Sequence, residues 1–206
     1  RMGSLQKAQE HYEQSVLASG TGQSQPDAPL FGNDTLVISQ VFQGANLWQL
    51  GYPDQALRIS LAGVRRARQL AHPSTLVCAL NHCVELDHLR REPEAAQELL
   101  EELMLICSDR GFALYAAWGT LLTGHGLVAQ KRVEAGIVQI QRGLADWKAT
   151  GAGLSLPGYL ANLAEVYAKA GKWEEGFSCI EQAFAIQVET GECLRAAELC
   201  RLEGEL

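Results

Sequence analysis

A repeat of 40 residues runs through this chain and restricts its fold more strongly than any other feature of the sequence. Repetition at this interval indicates a stack of similar units, each burying its apolar face against the next. Four series keep the interval. They are a small residue (Ala56, Ala96, Gly136, Gly176), a second small residue (Ala71, Gly111, Gly151, Gly191), a third series interrupted once by valine (Gly44, Val84, Gly124, Ala164) and an apolar one (Val64, Met104, Leu144, Phe184).

Each unit is predicted to be a pair of antiparallel helices. The four pairs cover residues 35–70, 74–110, 112–150 and 156–190, with one unpaired helix at each end, over 4–18 and 193–206. The first series follows the turn inside each pair, and the third is expected where two helices cross closely, because small side chains let backbones approach. The second series is expected to end the second helices in the left-handed conformation. Ser74 is predicted to cap its helix, and residues 20–34 to form a long surface loop.

The fourth unit carries a recognisable pattern of Leu163-Ala164, Tyr167, Gly171, Trp173, Gly176, Ile180 and Ala183. This pattern resembles the tetratricopeptide repeat, although the period of 40 is longer than that of the standard repeat. The resemblance implies an all-α, tetratricopeptide-like right-handed superhelix that forms a single domain over residues 1–206. Unpaired helices at both ends predict that the chain is a fragment of a larger protein.

Three phrases resemble a bacterial subset of such repeats more closely. They are Leu47-Trp48-Gln49-Leu50-Gly51-Tyr52-Pro53-Asp54-Gln55-Ala56, Leu89-Arg90-Arg91-Glu92-Pro93-Glu94-Ala95-Ala96 and the run from Ala196 to Leu206. This subset is the C-terminal repeat region of large signalling ATPases that carry nucleotide cyclase or LuxR-type domains. The resemblance implies a protein-interaction and sensor scaffold in such a regulator, whose ATP site lies outside this region.

Composition argues against several other classes. The formal net charge is −7, from 17 basic and 24 acidic residues, whereas nucleic-acid surfaces show a basic excess. The densest basic run, around Arg65 and Arg66, is expected to be a solvated helix face. Six cysteines without a CxxC motif, and no secretory signal, predict a cytoplasmic protein. Residues 111–130 lack any charged side chain but contain four glycines, which favours a buried helix over a membrane span.

No motif predicts an enzyme or a cofactor. There is no GxxxxGK[ST] sequence, and Gly151-Ala152-Gly153 lacks the lysine and hydroxyl that hold phosphate and magnesium. Cys78, Cys83, His82 and His88 are the one cluster that resembles a metal site, but packed cysteines beside a hydrogen-bonded histidine are the default interpretation. Glu85 and His125 are the only plausible acid–base pair, and two solvated groups lining a groove are favoured instead.

The predicted functional surface is a groove lined by the first helices of the pairs. The register of the fourth unit predicts that it carries Trp48, Asn81, Glu85, His88, Trp118, Leu121, His125, Glu165 and Lys169. Exposed tryptophans and aliphatic residues indicate an apolar partner, which is either a protein segment or the remainder of the parent chain. The alternative is a receptor for a small-molecule inducer, since tryptophan also stacks on sugar rings. The uncapped ends additionally allow a homodimer. No direct contact with nucleic acid or membrane is expected.

Overall fold

The computed structural model describes residues 4–20, 32–92, 96–192 and 195–206. These residues form ten α-helices and contain no strand. The helices are α1 (Leu5–Gly20), α2 (Thr35–Gln49), α3 (Pro53–Leu70), α4 (Pro73–Leu89), α5 (Gln97–Arg110), α6 (Ala113–Ala129), α7 (Val133–Ala149), α8 (Leu156–Lys169), α9 (Trp173–Thr190) and α10 (Ala196–Glu205). The all-α class and the helix pairs are therefore confirmed, with boundaries close to the predicted ones.

A left-handed residue stands after the helices at every twentieth position. The eight residues are Gly51, Ala71, Arg91, Gly111, Lys131, Gly151, Gly171 and Gly191, with φ between 51° and 87°. The four that end the second helices, beginning with Ala71, confirm the predicted helix stops. The other four lie in the tight turn inside each pair. In the first of these turns, the Gly51 N–H donates to the carbonyl oxygen of Trp48, and the Tyr52 N–H donates to the carbonyl oxygen of Leu47. This hydrogen-bond pattern is the Schellman motif, and it recurs at all four turns.

Two of these tight turns carry a long side chain where glycine would be less strained. A side chain in the left-handed region costs about 1 kcal/mol, and both Arg91 and Lys131 occupy it, with φ of 62° and 63°. We therefore expect Lys131→Gly to raise the free energy of unfolding by up to about 1 kcal/mol in urea denaturation. Ala145→Gly, at an exposed site inside α7, should lower it by about as much. Destabilisation by Lys131→Gly would contradict the turn geometry.

The first series, which includes Gly136, and the third series, which includes Gly124, meet where the two helices of a pair cross. A Cβ atom built on Gly124 would lie 3.0 Å from the carbonyl oxygen of Gly136 and 2.9 Å from the amide nitrogen of Ile140. The same crossing occurs between Gly44 and the carbonyl oxygen of Ala56, at 3.0 Å. Because these contacts are with backbone atoms, a larger residue has no room, and the predicted close crossings are confirmed at both pairs.

The entry to α4 differs from the prediction. Its N-cap is His72 and not Ser74, because Pro73 already occupies the first helical turn, where no amide donor is lost. The His72 side chain accepts a hydrogen bond from the Thr75 amide at 3.3 Å. Ser74 instead donates to Asn33 Oδ1 at 2.9 Å. Of the predicted surface loop over 20–34, residues 21–31 lie outside the described residues.

Contacts divide the chain into two compact units, one extending to Leu122 and the other running from Thr123 to Leu206. In the first unit α1 packs on α2, where Asn46 donates to the carbonyl oxygen of Leu5 at 3.0 Å. Its core combines residues of the first and second helices, such as Val41, Val64, Leu80 and Leu103. In the second unit α10 packs on α8 and α9. The single domain over 1–206 stays a prediction.

Candidate functional site

The residues predicted to line the groove fall into two groups. Asn81, Leu121 and His125 are buried, with 0 %, 1 % and 7 % of their surface exposed. The others are partly or largely exposed, namely Trp48, Glu85, His88, Trp118, Glu165 and Lys169. The first three are therefore not accessible to a partner in this structure, which corrects the predicted lining.

The correction has a simple geometric reason. Val41, Asn81, Leu121 and Ala161 occupy one position of the 40-residue repeat, and all four are buried. Val41 points to the second helix of its own pair, because its Cγ1 lies 3.1 Å from a Cβ built on Gly63. The residue that follows this position on each helix points about 100° further around the helix axis. That neighbouring position holds Phe42 and His82, which are exposed and half-buried, respectively. The sequence-based register missed both.

Three aromatic rings from three successive first helices lie in a row within the first unit. The His82 ring centroid is 4.8 Å from that of Phe42 and 5.1 Å from that of Trp118, the latter edge to face. Such spacing is favourable for aromatic pairs. Glu85 lies one turn beyond His82 on α4, with 3.9 Å between its Oε2 and His82 Nδ1. We call Phe42, His82, Glu85 and Trp118 the first-helix strip.

His82 contributes to the strip as an aromatic group and not as a charge. Burial lowers the pKa of His82 to about 4, because desolvation penalises the imidazolium. At neutral pH the ring is therefore uncharged.

The two tryptophans expected to anchor a partner also belong to the core. Trp118 packs on Val84, Ala96 and Leu122, and Trp48 packs on the cluster around Leu47 and Leu86. Truncating either one would therefore remove core contacts as well as surface. Phe42, at 40 % exposure, is the ring of the strip that a partner would reach most easily.

Two buried polar side chains of α4 hold atoms that have no hydrogen-bond partner within the described part of the chain. Asn81 replaces the apolar residues found at the equivalent positions 41, 121 and 161, and neither its side-chain oxygen nor its side-chain nitrogen has a hydrogen-bond partner among the described residues. Asp87 is 3 % exposed, and its Oδ1 likewise has no partner among those residues. Desolvation raises the pKa of Asp87 to about 6, against the opposing effect of Arg90. Buried polar groups of this kind cost stability.

The second unit holds the remaining predicted residues. Lys169 Nζ donates to Glu165 Oε1 at 2.8 Å, one turn apart on α8. Both charges are thus paired on the helix surface. Glu85 occupies the same repeat position as Glu165, but the residue one turn further along its helix is Leu89 and not a lysine.

The two cysteines of the cluster that resembles a metal site are poor ligands and nucleophiles. Cys78 and Cys83 are buried, and desolvation raises both pKa values, that of Cys83 to about 12. The thiolate is the reactive and metal-binding form. Among the described residues no group of three or more His, Cys, Asp or Glu side chains is arranged to hold a metal ion. Nor does any helix in the described part of the chain have the length and apolarity to cross a membrane.

Comparison with solved structures identifies the architecture as tetratricopeptide-like. The chain is similar to BtubC from P. vanneervenii (17 % identity, TM-score 0.63, covering 92 % of this chain and 75 % of that one). It is also similar to the apo form of RapI (12 %, 0.68, covering 98 % and 70 %). A third is a kinesin-light-chain-type protein of Podosopora anserina with nearly identical TPR-like repeats (18 %, 0.56, covering 90 % and 88 %).

At these identities the similarity concerns the fold alone. No protein-family profile matches the chain, and no curated protein matches it either. The solved structures confirm the resemblance to a tetratricopeptide-like repeat. The predicted link to signalling ATPases is supported only by the three sequence phrases given above.

Proposed function

We propose that this chain is a protein-interaction scaffold that binds an apolar polypeptide segment on the first-helix strip. The observation that carries the proposal is the row of three rings, which is open to solvent through Phe42. An exposed ring backed by a row of partly buried rings forms a contiguous apolar patch, and such patches mark interaction sites more often than isolated apolar residues do. The chain has no catalytic role in this proposal.

The setting we propose is a larger bacterial, cytoplasmic signalling or transcription-regulating ATPase. Its support is the resemblance of residues 47–56, 89–96 and 196–206 to the repeat regions of such proteins. In this setting the partner is either a segment of another protein or a neighbouring domain of the parent chain. The scaffold would then couple occupancy of the strip to the effector domain.

A matched pair of phenylalanines tests the binding proposal. Phe42 and Phe177 are exposed to almost the same extent, 40 % and 41 %, but only Phe42 belongs to the strip. Peptides selected for binding from a displayed library should lose at least about tenfold in affinity against Phe42→Ala, because central aromatic anchors dominate binding energy. Phe177→Ala should bind them normally, and both variants should melt close to the wild type. Equal binding by Phe42→Ala and the wild type would refute the proposed site.

A further inference from the structure

Asp87 is an ionisable residue at a repeat position that the other three units fill with leucine or tyrosine. The equivalent residues are Leu47, Leu127 and Tyr167. Leu47 and Tyr167 are buried, and Asp87 is buried to a similar extent. The fold therefore places a carboxyl group where the other repeats have a hydrophobic side chain, and desolvation disfavours a charge at such a place.

The position of Asp87 along α4 adds a second unfavourable contribution. Asp87 lies in the last turn of α4, and its backbone carbonyl oxygen accepts a hydrogen bond from the Glu92 amide at 3.0 Å as part of the Schellman motif. The C-terminal end of a helix carries partial negative charge, which repels a carboxylate. Protonation of Asp87 would remove both the desolvation penalty and this repulsion at the point where the tight turn begins.

The charged groups next to Asp87 do not offset these two contributions. Arg90 is the one described cation that acts on the carboxyl, and Glu92 opposes its effect. The Arg90 guanidinium is itself bound to two exposed carboxylates, those of Glu92 at 3.2 Å and of Asp54 on α3 at 3.5 Å. Cys83, one turn earlier on α4, is a neutral thiol at neutral pH, because burial raises its pKa to about 12.

The helices packed against α4 supply no compensating charge either. On α3, Arg68 acts on the Cys83 thiol and not on Asp87. Neither α2 nor the part of α6 over residues 113–122 contains a charged side chain, and none of the described charged residues of α5 acts on Asp87. Burial is therefore the dominant influence on this carboxyl.

We propose that Asp87 makes the first unit sensitive to mild acid: its carboxyl takes up a proton in the folded chain, and this stabilises the last turn of α4 and the tight turn that follows it. The inference goes beyond the proposed scaffold function and does not depend on it. A carboxyl whose folded pKa lies above its unfolded value gives stability that is present at low pH and is lost as the pH rises through the folded pKa. For Asp87 the folded pKa is about 6, against an ordinary value of 3.8, so its penalty is complete above about pH 7 and disappears towards about pH 4.

Urea denaturation of the wild type and two variants over this pH range tests the inference. Asp87→Asn removes the charge and keeps the shape of the side chain. Its denaturation midpoint should exceed that of the wild type by about 1 M urea near pH 7.5, and the difference should shrink as the pH falls to about 4.5. The matched control is Asp109→Asn, because Asp109 also lies in the last turn of a helix of this unit but is exposed. This control should keep the pH dependence of the wild type.

Two further measurements keep the inference testable if Asp87→Asn does not fold. Carbon-13 NMR of the wild type should show the Asp87 carboxyl titrating near pH 6, and a midpoint below about pH 4.5, close to that of an ordinary aspartate, would overturn the inference. The Glu92 amide, which donates to the Asp87 carbonyl oxygen, should gain protection from hydrogen exchange in acid, after correction for the intrinsic exchange rate at each pH.

The remaining outcomes also contradict the inference. A denaturation midpoint of Asp87→Asn that does not exceed that of the wild type at neutral pH, or a difference that does not change with pH, would show that the buried carboxylate carries no penalty. If stability changes with pH as expected but the protection of the Glu92 amide does not, the effect does not act on the turn after α4, and the proposed stabilisation of that turn is wrong.

Discussion

Gly124→Leu is expected to lower the free energy of unfolding by about 3 kcal/mol, at the upper end of the range for overpacked cores. At this position a Cβ atom would lie 2.5 Å from Ile140 Cγ1 and 2.9 Å from the Ile140 amide nitrogen. The Ile140 side chain can rotate, but the backbone of α7 can withdraw only if the two helices separate. Urea denaturation followed by circular dichroism would measure the loss.

The matched control lies two residues away on the same helix. A Cβ atom on Gly126 would meet nothing within 4 Å, so Gly126→Leu should leave stability unchanged or raise it slightly through better helix propensity. Gly124→Ala should fall between the two leucine variants. Similar stability of Gly124→Leu and Gly126→Leu would show that α6 and α7 do not cross at Gly124.

Asp34→Ala is expected to have a comparably large effect, about 3 kcal/mol, since it removes the N-cap of α2 and leaves Arg66 without its partner in a partly buried ion pair. Asp34 is 1 % exposed and joins three helices. Its Oδ1 accepts from the Val37 amide at 3.0 Å and from Arg66 Nε at 2.9 Å, and its amide donates to Thr75 Oγ1 at 3.0 Å. Asp34→Asn should lose less, because the amide oxygen can still cap α2.

The contribution of Asp34 should also depend on pH. Burial alone would raise the pKa of this carboxyl, but the hydrogen bonds from Arg66 and Val37 outweigh it and hold the pKa below its ordinary value of 3.8. A carboxyl with a lowered pKa stabilises the folded state above its unfolded pKa, and this stabilisation is lost as the pH falls through the folded pKa. The difference between wild type and Asp34→Ala should therefore be constant near neutral pH and shrink below about pH 4. A constant difference down to pH 2 would argue against the ion pair.

The repeat could be predicted from the sequence because it depends on single residues, which either end a helix or are small enough for two helices to cross. A glycine such as Gly111 ends a helix whatever surrounds it, since it adopts positive φ without steric cost. Residues such as Gly124 recur at the crossings because no larger residue fits. The left-handed conformation of Arg91 and Lys131 could not be predicted from these residues, because their side chains disfavour it, although the Schellman hydrogen bonds recur at both turns.

The lining of the site was predictable only in part. Trp118 and Glu85, which were predicted to line the groove, are partly exposed, and their role in a groove stays a prediction. Phe42 and His82 were missed, although they also stand 40 residues apart. An apolar phenylalanine on a first helix is usually read as core, and nothing in its own sequence neighbourhood says otherwise.

The sequence by itself thus determined the period, the pairing of helices and the positions where they turn and cross, because each depends on backbone sterics at single residues. Which way each first helix is rotated was decided by tertiary structure. A rotation of about 100° separates buried Asn81 from half-buried His82, and both side chains are polar. Only the packing of α4 against its neighbours determines which of the two becomes part of the core and which stays partly exposed.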